Sequence, residues 1–289
     1  MTGPIAVGGA SGGVGGRVAR RLVEAGEQVR LLVRDRDRAP RLPGTTVATA
    51  DYGDADAMGQ ALEGAGAFFF VSATEAPDRV ELQATAVAAA AASGVGHVVY
   101  LSFLGAAPDA TFAFARDHWH TEQHIRGSGL AFTFLRDSQY LDYLPLLVGA
   151  DDVIRGPAGD GVLAPVARDD VARVAAVVLA APSRHTGRTY DLTGPVLVTY
   201  EDIARSLSNA VGRRITYEAE TLAQAYASRA GYGAAQWEVD GWVTSYSAVA
   251  AGELAVVSDA VETLTGVAPL GVDAWLEGNP GALEQLRHR

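Results

Sequence analysis

The sequence contains no cysteine and no lysine, so all 23 of its basic residues are arginine. The absence of cysteine excludes disulfides, thiolate catalysis and cysteine-bound metal sites. The absence of lysine excludes any mechanism that depends on a lysine side chain. With 34 acidic residues, the formal net charge is −11. Such a chain is not expected to bind nucleic acid or anionic membrane non-specifically, and an anionic ligand would need a local basic site.

Membrane-spanning and secretory segments are also missing from the sequence. The charge-free stretch from Leu82 to Pro108 is divided by Ser93-Gly94-Val95-Gly96 into an alanine-rich helix and a strand, each too short to cross a bilayer. The N-terminus lacks the basic region followed by an apolar core that marks a secretory signal. We therefore expect a cytoplasmic protein with no membrane partner.

A short apolar segment breaks into glycines close to the N-terminus. Ile5 to Val7 is predicted to be a buried strand, followed by Gly9-x-x-Gly12-x-x-Gly15 and by apolar residues at helical spacing from Val14. Gln28 to Arg34 is predicted to be a second strand. The spacing differs from G-x-G-x-x-G, but strand, turn, helix and strand form the context of a dinucleotide-binding site. Glycine permits close approach of a phosphate, and the residues predicted to hold the pyrophosphate are Gly9, Ala10, Ser11, Gly12, Gly13 and Val14.

Two other interpretations of this glycine turn are open. A flexible glycine-rich arm would lack the flanking strand and helix periodicity. A hydrolase is suggested by Gly9-Ala10-Ser11-Gly12-Gly13, which matches the G-x-S-x-G nucleophile elbow. That elbow needs earlier strands around it, whereas only one strand precedes this turn.

The end of the second strand indicates which dinucleotide is bound. An NAD-specific site usually has an acidic residue here, whereas this sequence has Arg34 in a locally basic segment that runs to Arg41. The planar guanidinium suits a 2′-phosphate, so NADPH (NADP) is favoured over NADH. The alternative is an ordinary solvated loop with alternating charges.

Further strand ends supply additional candidates for cofactor contact. Asp51 and Tyr52 follow a predicted strand, Thr46 to Ala50, and could contact adenine, while Asp54 could cap the next helix. Ala67 to Val71 and His97 to Ser102 are predicted buried strands, and Pro77 to Ser93 is the helix between them. The residues predicted at the cofactor edge after these strands are Ser72, Ala73, Ser102 and Phe103, with a strand-end cap as the other interpretation of Ser102.

The segment from Phe114 to Arg126 is rich in histidine. Phe114, His118 and Glu122 share one helical face. A metal site is conceivable here, but the glutamate is misplaced for H-E-x-x-H, and surface or packed histidines are favoured. The strand Leu130 to Arg136 then leads into a segment predicted to form one wall of the substrate pocket, with Ser138 at the cofactor and Tyr140 at the acceptor.

These patterns predict an α/β fold: a Rossmann-type, doubly wound parallel sheet with a smaller C-terminal substrate-binding lobe. We expect residues 1–150, with a late strand near 189–193, to form the NAD(P)-binding domain, and residues 151–289 to form mainly the substrate lobe. Helices are predicted for Val171 to Ala181, Tyr200 to Val211, Leu222 to Ala234 and, as one or two helices, Ser245 to Leu264.

Taken together, the motifs resemble those of the NmrA-like branch of the short-chain dehydrogenase/reductase superfamily, especially the type-2 NAD(P)H:quinone oxidoreductases and related azo- and dye-reductases. The matching stretches are Gly9-Ala-Ser-Gly-Gly-Val-Gly15, Leu32-Val-Arg34-Asp35, Asp51-Tyr52, Val99-Tyr-Leu-Ser102, His118-x-x-x-Glu122, Arg126-x-Ser-Gly129, Thr133-Phe-Leu-Arg136 and Tyr190-Asp-Leu-Thr-Gly-Pro195. The resemblance implies NADPH-dependent reduction of a quinone or similar conjugated carbonyl, a small-molecule substrate. It leaves open a redox-sensing regulator that binds NAD(P) without turnover and a ketoreductase of specialised metabolism.

The departure from the superfamily bears on the chemistry. Its ordinary members carry Tyr-x-x-x-Lys, with tyrosine as the general acid, whereas the corresponding frame here is Phe114-x-x-x-His118. Phenylalanine cannot donate a proton, which excludes the ordinary mechanism of carbonyl reduction. By the resemblance, Ser102, His118 and Tyr140 would border the hydride acceptor. His118 could orient the nicotinamide, supply a proton or be purely structural.

Overall fold

Strands and helices alternate along much of the chain in the computed structural model, which describes residues 3–287. The strands are β1 (Ile5–Val7), β2 (Val29–Val33), β3 (Thr46–Thr49), β4 (Ala67–Val71), β5 (His97–Phe103), β6 (Ala131–Asp137), β7 (Val153–Gly156), β8 (Val162–Leu163), β9 (Arg188–Leu192), β10 (Val198–Thr199) and β11 (Thr216–Ala219). The helices are α1 (Gly13–Glu24), α2 (Ala55–Leu62), α3 (Arg79–Ala92), α4 (Ala113–Gly127), α5 (Arg168–Ala180), α6 (Tyr200–Val211), α7 (Leu222–Arg229), α8 (Gln236–Ala250), α9 (Ala260–Thr265), α10 (Val272–Gly278) and α11 (Glu284–Arg287).

The strand order of the main sheet is that of a doubly wound nucleotide-binding fold. Within the described residues the order is β3-β2-β1-β4-β5-β6-β9. The pairings of β1 with β2 and β4, of β2 with β3 and of β4 with β5 are all parallel. Winding therefore reverses between β1 and β4, where Val7 lies opposite Phe69. The predicted Rossmann-type fold is confirmed, and the switch point places the carboxyl ends of β1 and β4 side by side.

The core on one face of this sheet is built from aromatic and alanine side chains. Phe68, Phe70 and Tyr100 are fully buried, and the ring centroids of Phe70 lie 5.2 Å from those of both Phe68 and Tyr100. The predicted core role of the phenylalanines is therefore confirmed. Alanines of α3, including Ala86 and Ala90, pack in the same cluster. Their small side chains let this helix lie close to the strands.

The chain divides into two compact units. The first contains the chain up to Pro108 together with Asp117–Arg136 and Asp169–Asp191, and the second contains Asp109–Arg116, Asp137–Arg168 and the chain from Leu192 onward. The division thus alternates along the chain, whereas the predicted NAD(P)-binding domain was residues 1–150 with only a late strand near 189–193 added. The reason lies in α5 and β9, most of which return to the first unit because β9 extends the main sheet beside β6.

The second unit contains the part of the prediction that is wrong. The one or two helices predicted from Ser245 to Leu264 are two: α8 starts earlier, at Gln236, and ends at Ala250, and α9 follows it. Gly241 lies inside α8, where a Cβ would be 2.4 Å from the Phe114 ring. Glycine is therefore needed for packing inside α8. The pairs β8–β10 and β7–β11 were not predicted, because each strand is short and pairs with a distant segment.

In the described part of the chain, no helix is both long and apolar enough to cross a membrane.

A buried histidine in the first unit makes stability depend on pH. His97 Nε2 lies 2.9 Å from Thr133 Oγ1, whose own proton is donated to the His185 carbonyl, so the neutral imidazole must donate through Nε2. Burial, with a smaller effect of His185, lowers the pKa of His97 from 6.5 to about 4. The unfolded chain therefore binds more protons than the folded chain between these values, and stability falls as the pH falls through this window.

His97→Gln should flatten this dependence, because the glutamine amide can donate to Thr133 without titrating. We expect the loss in free energy of unfolding between pH ~6.5 and ~4.5 to be about 1–2 kcal/mol smaller than in the wild type. Urea unfolding at both pH values measures the difference. Equal losses in the two proteins would show that His97 does not carry the effect.

Candidate functional site

The glycine turn between β1 and α1 is tight and exposes the start of the helix. Gly9 has a φ of +59°, and its carbonyl accepts a 2.8 Å hydrogen bond from the Gly12 amide. A Cβ on Gly15 would lie 2.3 Å from the Gly9 carbonyl oxygen, so a side chain there would force the turn open. The helix starts at Gly13 after Gly12, which has no side chain to cap it, and its first turn contains no acidic residue. The first amides of α1 are therefore available to an anion.

Basic side chains surround this helix start. A cavity of about 480 Å³ is lined by Ala10, Ser11, Gly12, Gly13, Gly16, Arg17, Arg20, Arg38, Pro40 and Asp169. Arg17 donates to the Gly13 carbonyl at 2.7 Å and pairs with Asp169 at 3.3 Å. Three arginines and one carboxylate, together with the positive end of the helix dipole, make the cavity favourable for a phosphate group. The residues present thus fit the pyrophosphate of a dinucleotide.

The other interpretations of the turn do not agree with this geometry. The glycines lie between a buried strand and an amphipathic helix, unlike a flexible arm. The lining of the cavity beside Ser11 includes no histidine among the described residues. A serine nucleophile would need such a base.

The arginines that follow β2 differ in their surroundings. Arg34 is exposed directly after the strand and does not belong to the cavity lining, whereas Arg38 does. Between them, the Asp35 side chain accepts from the Asp37 amide at 3.0 Å and thereby caps the short helical turn Arg36–Arg38. Arg36 donates to the Val47 carbonyl at 3.2 Å. The turn thus places Arg38 in the lining of the phosphate cavity. The alternating charges of the sequence do not indicate this position.

Several polar groups of the residues after β3 make hydrogen bonds with backbone groups of the protein. Asp54 caps α2 by accepting from the Ala57 amide at 2.9 Å, which confirms the capping alternative. The Tyr52 hydroxyl donates to the Val71 carbonyl at 2.9 Å, and its ring packs edge-on against Phe70. Burial raises the pKa of Tyr52. Asp51 stays exposed, and its carboxylate accepts from the Gly53 amide. Tyr52 therefore offers a ring surface, but no free hydroxyl, to an adenine.

A buried polar network lies at the ends of β4 and β5. Its members are Ser72, Arg79, Gln83, Tyr100 and His118. Arg79 Nη2 donates to Ser72 Oγ at 2.6 Å and lies 3.2 Å from His118 Nε2. His118 Nδ1 lies 3.0 Å from the Tyr100 hydroxyl. Burial, with Arg79 as the next cause, lowers the pKa of His118 well below its usual range. Phe103, predicted beside the nicotinamide, has its ring centroid 6.1 Å from that of His118.

Ser102 contacts a separate ion pair, which Glu122 forms with Arg136. Its hydroxyl donates to Glu122 Oε1 at 2.7 Å, and Arg136 donates to both carboxylate oxygens of Glu122, at 2.8 and 2.6 Å. Ser102 and Glu122 are both fully buried. In this geometry Ser102 orients Glu122, and its predicted place beside the hydride acceptor stays a prediction.

Histidines of α4 do not assemble a metal site. His120 and His124 are exposed, whereas His118 is buried. Across residues 3–287, no group of three or more histidine, aspartate and glutamate side chains is placed to hold a metal ion. In the second unit, the ring of Phe114 packs against Trp237 with a centroid separation of 6.2 Å.

In the second unit, the segment after β6 forms its own polar cluster. The Tyr140 hydroxyl donates to Asp137 Oδ2, and Arg168 stacks on the rings of Tyr140 and Tyr143 at 5.0 and 4.3 Å. Burial, and next the Asp137 charge, raises the pKa of Tyr140 well above its usual range. Ser138 is buried, and its hydroxyl has no hydrogen-bond partner within residues 3–287. Tyr140 therefore keeps its proton for Asp137 and is a poor proton donor.

Comparison with known proteins agrees with a dinucleotide as the ligand of the phosphate cavity. A family model described as NAD(P)H-binding matches residues 9–182, a range that runs from the glycine turn through α5. The chain belongs to this NAD(P)H-binding family. NAD(P)H azoreductase of Xenophilus azovorans is 32% identical over 267 residues, which are 91% of this chain and 93% of the relative. Quinone oxidoreductase 2 of Escherichia coli is 34% identical over 221 residues, which are 74% of this chain and 77% of the relative.

Solved structures show the same fold. The Escherichia coli quinone oxidoreductase in complex with NADPH superposes with a TM-score of 0.87 at 29% identity, over 95% of this chain and 99% of that chain. Nmra, a negative transcriptional regulator, superposes with a TM-score of 0.75 at 16% identity, over 100% of this chain and 99% of that chain. At the lower identity the likeness concerns the fold alone. The predicted likeness to quinone oxidoreductases of this type is confirmed by the relative at 34% identity.

Several residues of the candidate site were not predicted. Arg17, Arg20 and Arg38 line the phosphate cavity, and Arg79 and Gln83 belong to the buried network. The sequence does contain a signal for the last two, because Arg79 and Gln83 are four residues apart in an otherwise alanine-rich helix. Such spacing places both on one helical face.

Proposed function

We propose that the protein is an NADPH-dependent oxidoreductase that reduces a quinone or a similar conjugated carbonyl compound by hydride transfer. The observation that carries the proposal is the arginine-lined cavity at the uncapped start of α1, at the switch point of a doubly wound sheet. Sites of this kind bind the pyrophosphate of a dinucleotide. The named relatives, an azoreductase and a quinone oxidoreductase, support the same class of enzyme.

Residues of the first unit would hold the cofactor by its charged groups. The first amides of α1 and the Ser11 side chain would contact the pyrophosphate, and Arg38 together with Arg34 would contact the 2′-phosphate. Asp51 and Tyr52 are proposed to lie beside the adenine, and Ser72, Ala73 and Phe103 further along the cofactor. In the second unit, Ser138 remains proposed for cofactor contact because its buried hydroxyl lacks a partner among the described residues. When bound, dihydronicotinamide supplies the hydride.

The acceptor class follows from the lack of a proton donor. Phe114 replaces the tyrosine of the superfamily motif, lysine is absent, and the Tyr140 proton is held by Asp137. A quinone that accepts hydride becomes an aromatic hydroquinone anion, which is stable and can be protonated by solvent. A simple ketone would become a strongly basic alkoxide and would need an acid in the site. The chain therefore suits the quinone and not the simple ketone.

Steady-state oxidation of NADPH with quinones, simple ketones and azo dyes tests the proposal. We expect turnover with quinones, and none with simple ketones beyond the background rate. Faster turnover with ketones would favour the ketoreductase alternative. Tight NADPH binding without oxidation by any acceptor would instead favour a sensor and contradict the proposed activity.

A further inference from the structure

The five side chains of the buried network form a closed ring of hydrogen bonds. Arg79 Nη2 contacts Ser72 Oγ and His118 Nε2, and His118 Nδ1 contacts the Tyr100 hydroxyl. The Tyr100 hydroxyl lies 3.3 Å from Gln83 Oε1, which also accepts from Ser72 Oγ at 2.8 Å. All five residues belong to the first unit and come from the end of β4, from α3, from β5 and from α4.

The donors and acceptors of this ring leave a single protonation pattern. A guanidinium only donates, so His118 Nε2 must present its lone pair to Arg79. The imidazole proton is then on Nδ1 and is donated to Tyr100. Tyr100 in turn donates to Gln83 at 3.3 Å or Ser72 at 3.4 Å, since its oxygen already accepts from His118, and neither choice changes the tautomer of His118. A second proton on His118 would face the Arg79 donor at 3.2 Å and would add a positive charge beside a guanidinium.

Two further contacts connect the ring to the loop after β4. Arg79 Nε donates to the Ala73 carbonyl at 3.0 Å, and Gln83 Oε1 accepts from the Ala73 amide at 3.4 Å. This loop follows directly on Val71, the last residue of β4, which lies against the glycine turn, because a Cβ on Gly9 would be 3.1 Å from the Val71 Cβ. The ring therefore fixes Ser72 and Ala73 directly after the strand end that faces the glycine turn.

We infer that His118 is a positioning residue: it accepts from Arg79, and Arg79 holds the Ser72–Ala73 loop in the conformation that receives the cofactor. The inference rests on the proposed function. His118 does not act as a proton donor, although its position in the Phe114-x-x-x-His118 frame suggests one. His118 thus supplies no proton to the hydride acceptor. This agrees with a quinone acceptor, whose reduction needs no proton donor in the site.

The charged groups around His118 support a neutral ring. Arg79 approaches from α3 and Arg136 acts from β6, while Asp117 of α4 lies 3.6 Å from Arg79 Nη1. Tyr100 approaches from β5, where burial raises its pKa to about 12, and the Glu122 charge acts on Tyr100. The two guanidinium groups oppose protonation of His118, and the carboxylate of Asp117 pairs with Arg79. Neutral His118 therefore persists across the range in which an ordinary histidine titrates.

Two substitutions at His118 separate positioning from proton donation. His118→Gln offers an acceptor near the position of Nε2, whereas His118→Asn offers only a group near Nδ1. We expect the NADPH dissociation constant to stay near the wild-type value in His118→Gln and to rise by about 10-fold in His118→Asn, as for loss of a charge-assisted hydrogen bond. His124→Gln, at an exposed histidine of the same helix, is the matched control, and it should leave the NADPH dissociation constant unchanged.

Equilibrium titration with NADPH and the pH dependence of kcat with a quinone are the two readouts. The expected result is that the wild type and His118→Gln have the same form of pH profile, with no step attributable to histidine between about pH 5.5 and 7.5. A His118→Gln variant that binds NADPH normally but loses a histidine step and most of its turnover would overturn the inference. If His118→Asn does not fold, these two results with His118→Gln still decide the matter. A wild-type protein that does not bind NADPH would overturn the proposed function itself, and this inference with it.

Discussion

Ser11→Asp is expected to weaken NADPH binding by about 100-fold or more while the fold is retained. Ser11 is exposed in the glycine turn and lines the phosphate cavity. A carboxylate about 4 Å from a phosphate charge costs about 4 kcal/mol at an effective dielectric constant near 20, and solvent screening reduces this cost. An acidic residue at a helix start is otherwise favourable, so the loss would concern the ligand and not the helix. Equilibrium titration with NADPH measures the change.

Ser11→Asn is the matched control, because asparagine has nearly the same size and shape as aspartate but no charge. We expect it to lose much less affinity than Ser11→Asp. Circular dichroism and thermal unfolding of both variants would check the fold. Similar affinities for the two variants would mean that the phosphate does not lie at the start of α1.

The second large effect is expected at the arginines that follow β2. Arg34→Ala and Arg38→Ala should each weaken NADPH binding more than NADH binding, by about 10-fold or more, because each removes a charge-assisted hydrogen bond to the 2′-phosphate. The basis for Arg38 is that it lines the phosphate cavity from the segment after β2, the strand end beside which a 2′-phosphate is accommodated. The basis for Arg34 is its place directly after β2. Dissociation constants of both dinucleotides for each variant test the two residues separately.

Arg41→Ala provides the control within the same segment, since Arg41 is exposed and does not belong to the cavity lining. It should leave the preference for NADPH unchanged. Equal losses for NADPH and NADH in Arg34→Ala would remove that residue from the 2′-phosphate site and leave Arg38 as the determinant. Equal losses in both variants would contradict the assignment of NADPH.

The fold and the phosphate site could be predicted because their signals are local in the sequence. The first elements follow one another directly along the chain: β1, the glycine turn, α1 and β2. Glycines in such a turn permit close approach of a phosphate, and this can be read from the sequence. The apolar strand with three phenylalanines is equally clear, because no other role suits three adjacent large aromatic side chains. Helix α8 shows the opposite case, since it starts at Gln236 and not at the predicted Ser245, and its Gly241 is required by the Phe114 ring from a distant segment.

The buried network could not be predicted for a different reason. Its side chains come from four elements that are separate along the chain, and only the packed sheet brings them together. Ser72 and His118 were identified as candidates individually, whereas the partner that decides the role of His118 is Arg79. The chemistry of a histidine depends on whether its neighbour donates or accepts, and spacing along a helix does not determine this. In the same way, Ser102 was identified at its strand end, whereas its contact with Glu122 of α4 depends on the packed fold.

The most direct test of the account is a single turnover under anaerobic conditions, with enzyme, NADPH and a quinone in equal amounts. Absence of oxygen excludes oxidation of the product, so nicotinamide absorbance and hydroquinone formation can be compared directly. The account predicts that NADPH disappears as hydroquinone forms, one for one, and that no flavin or metal need be added. Bound NADPH that stays reduced in the presence of quinone would contradict it.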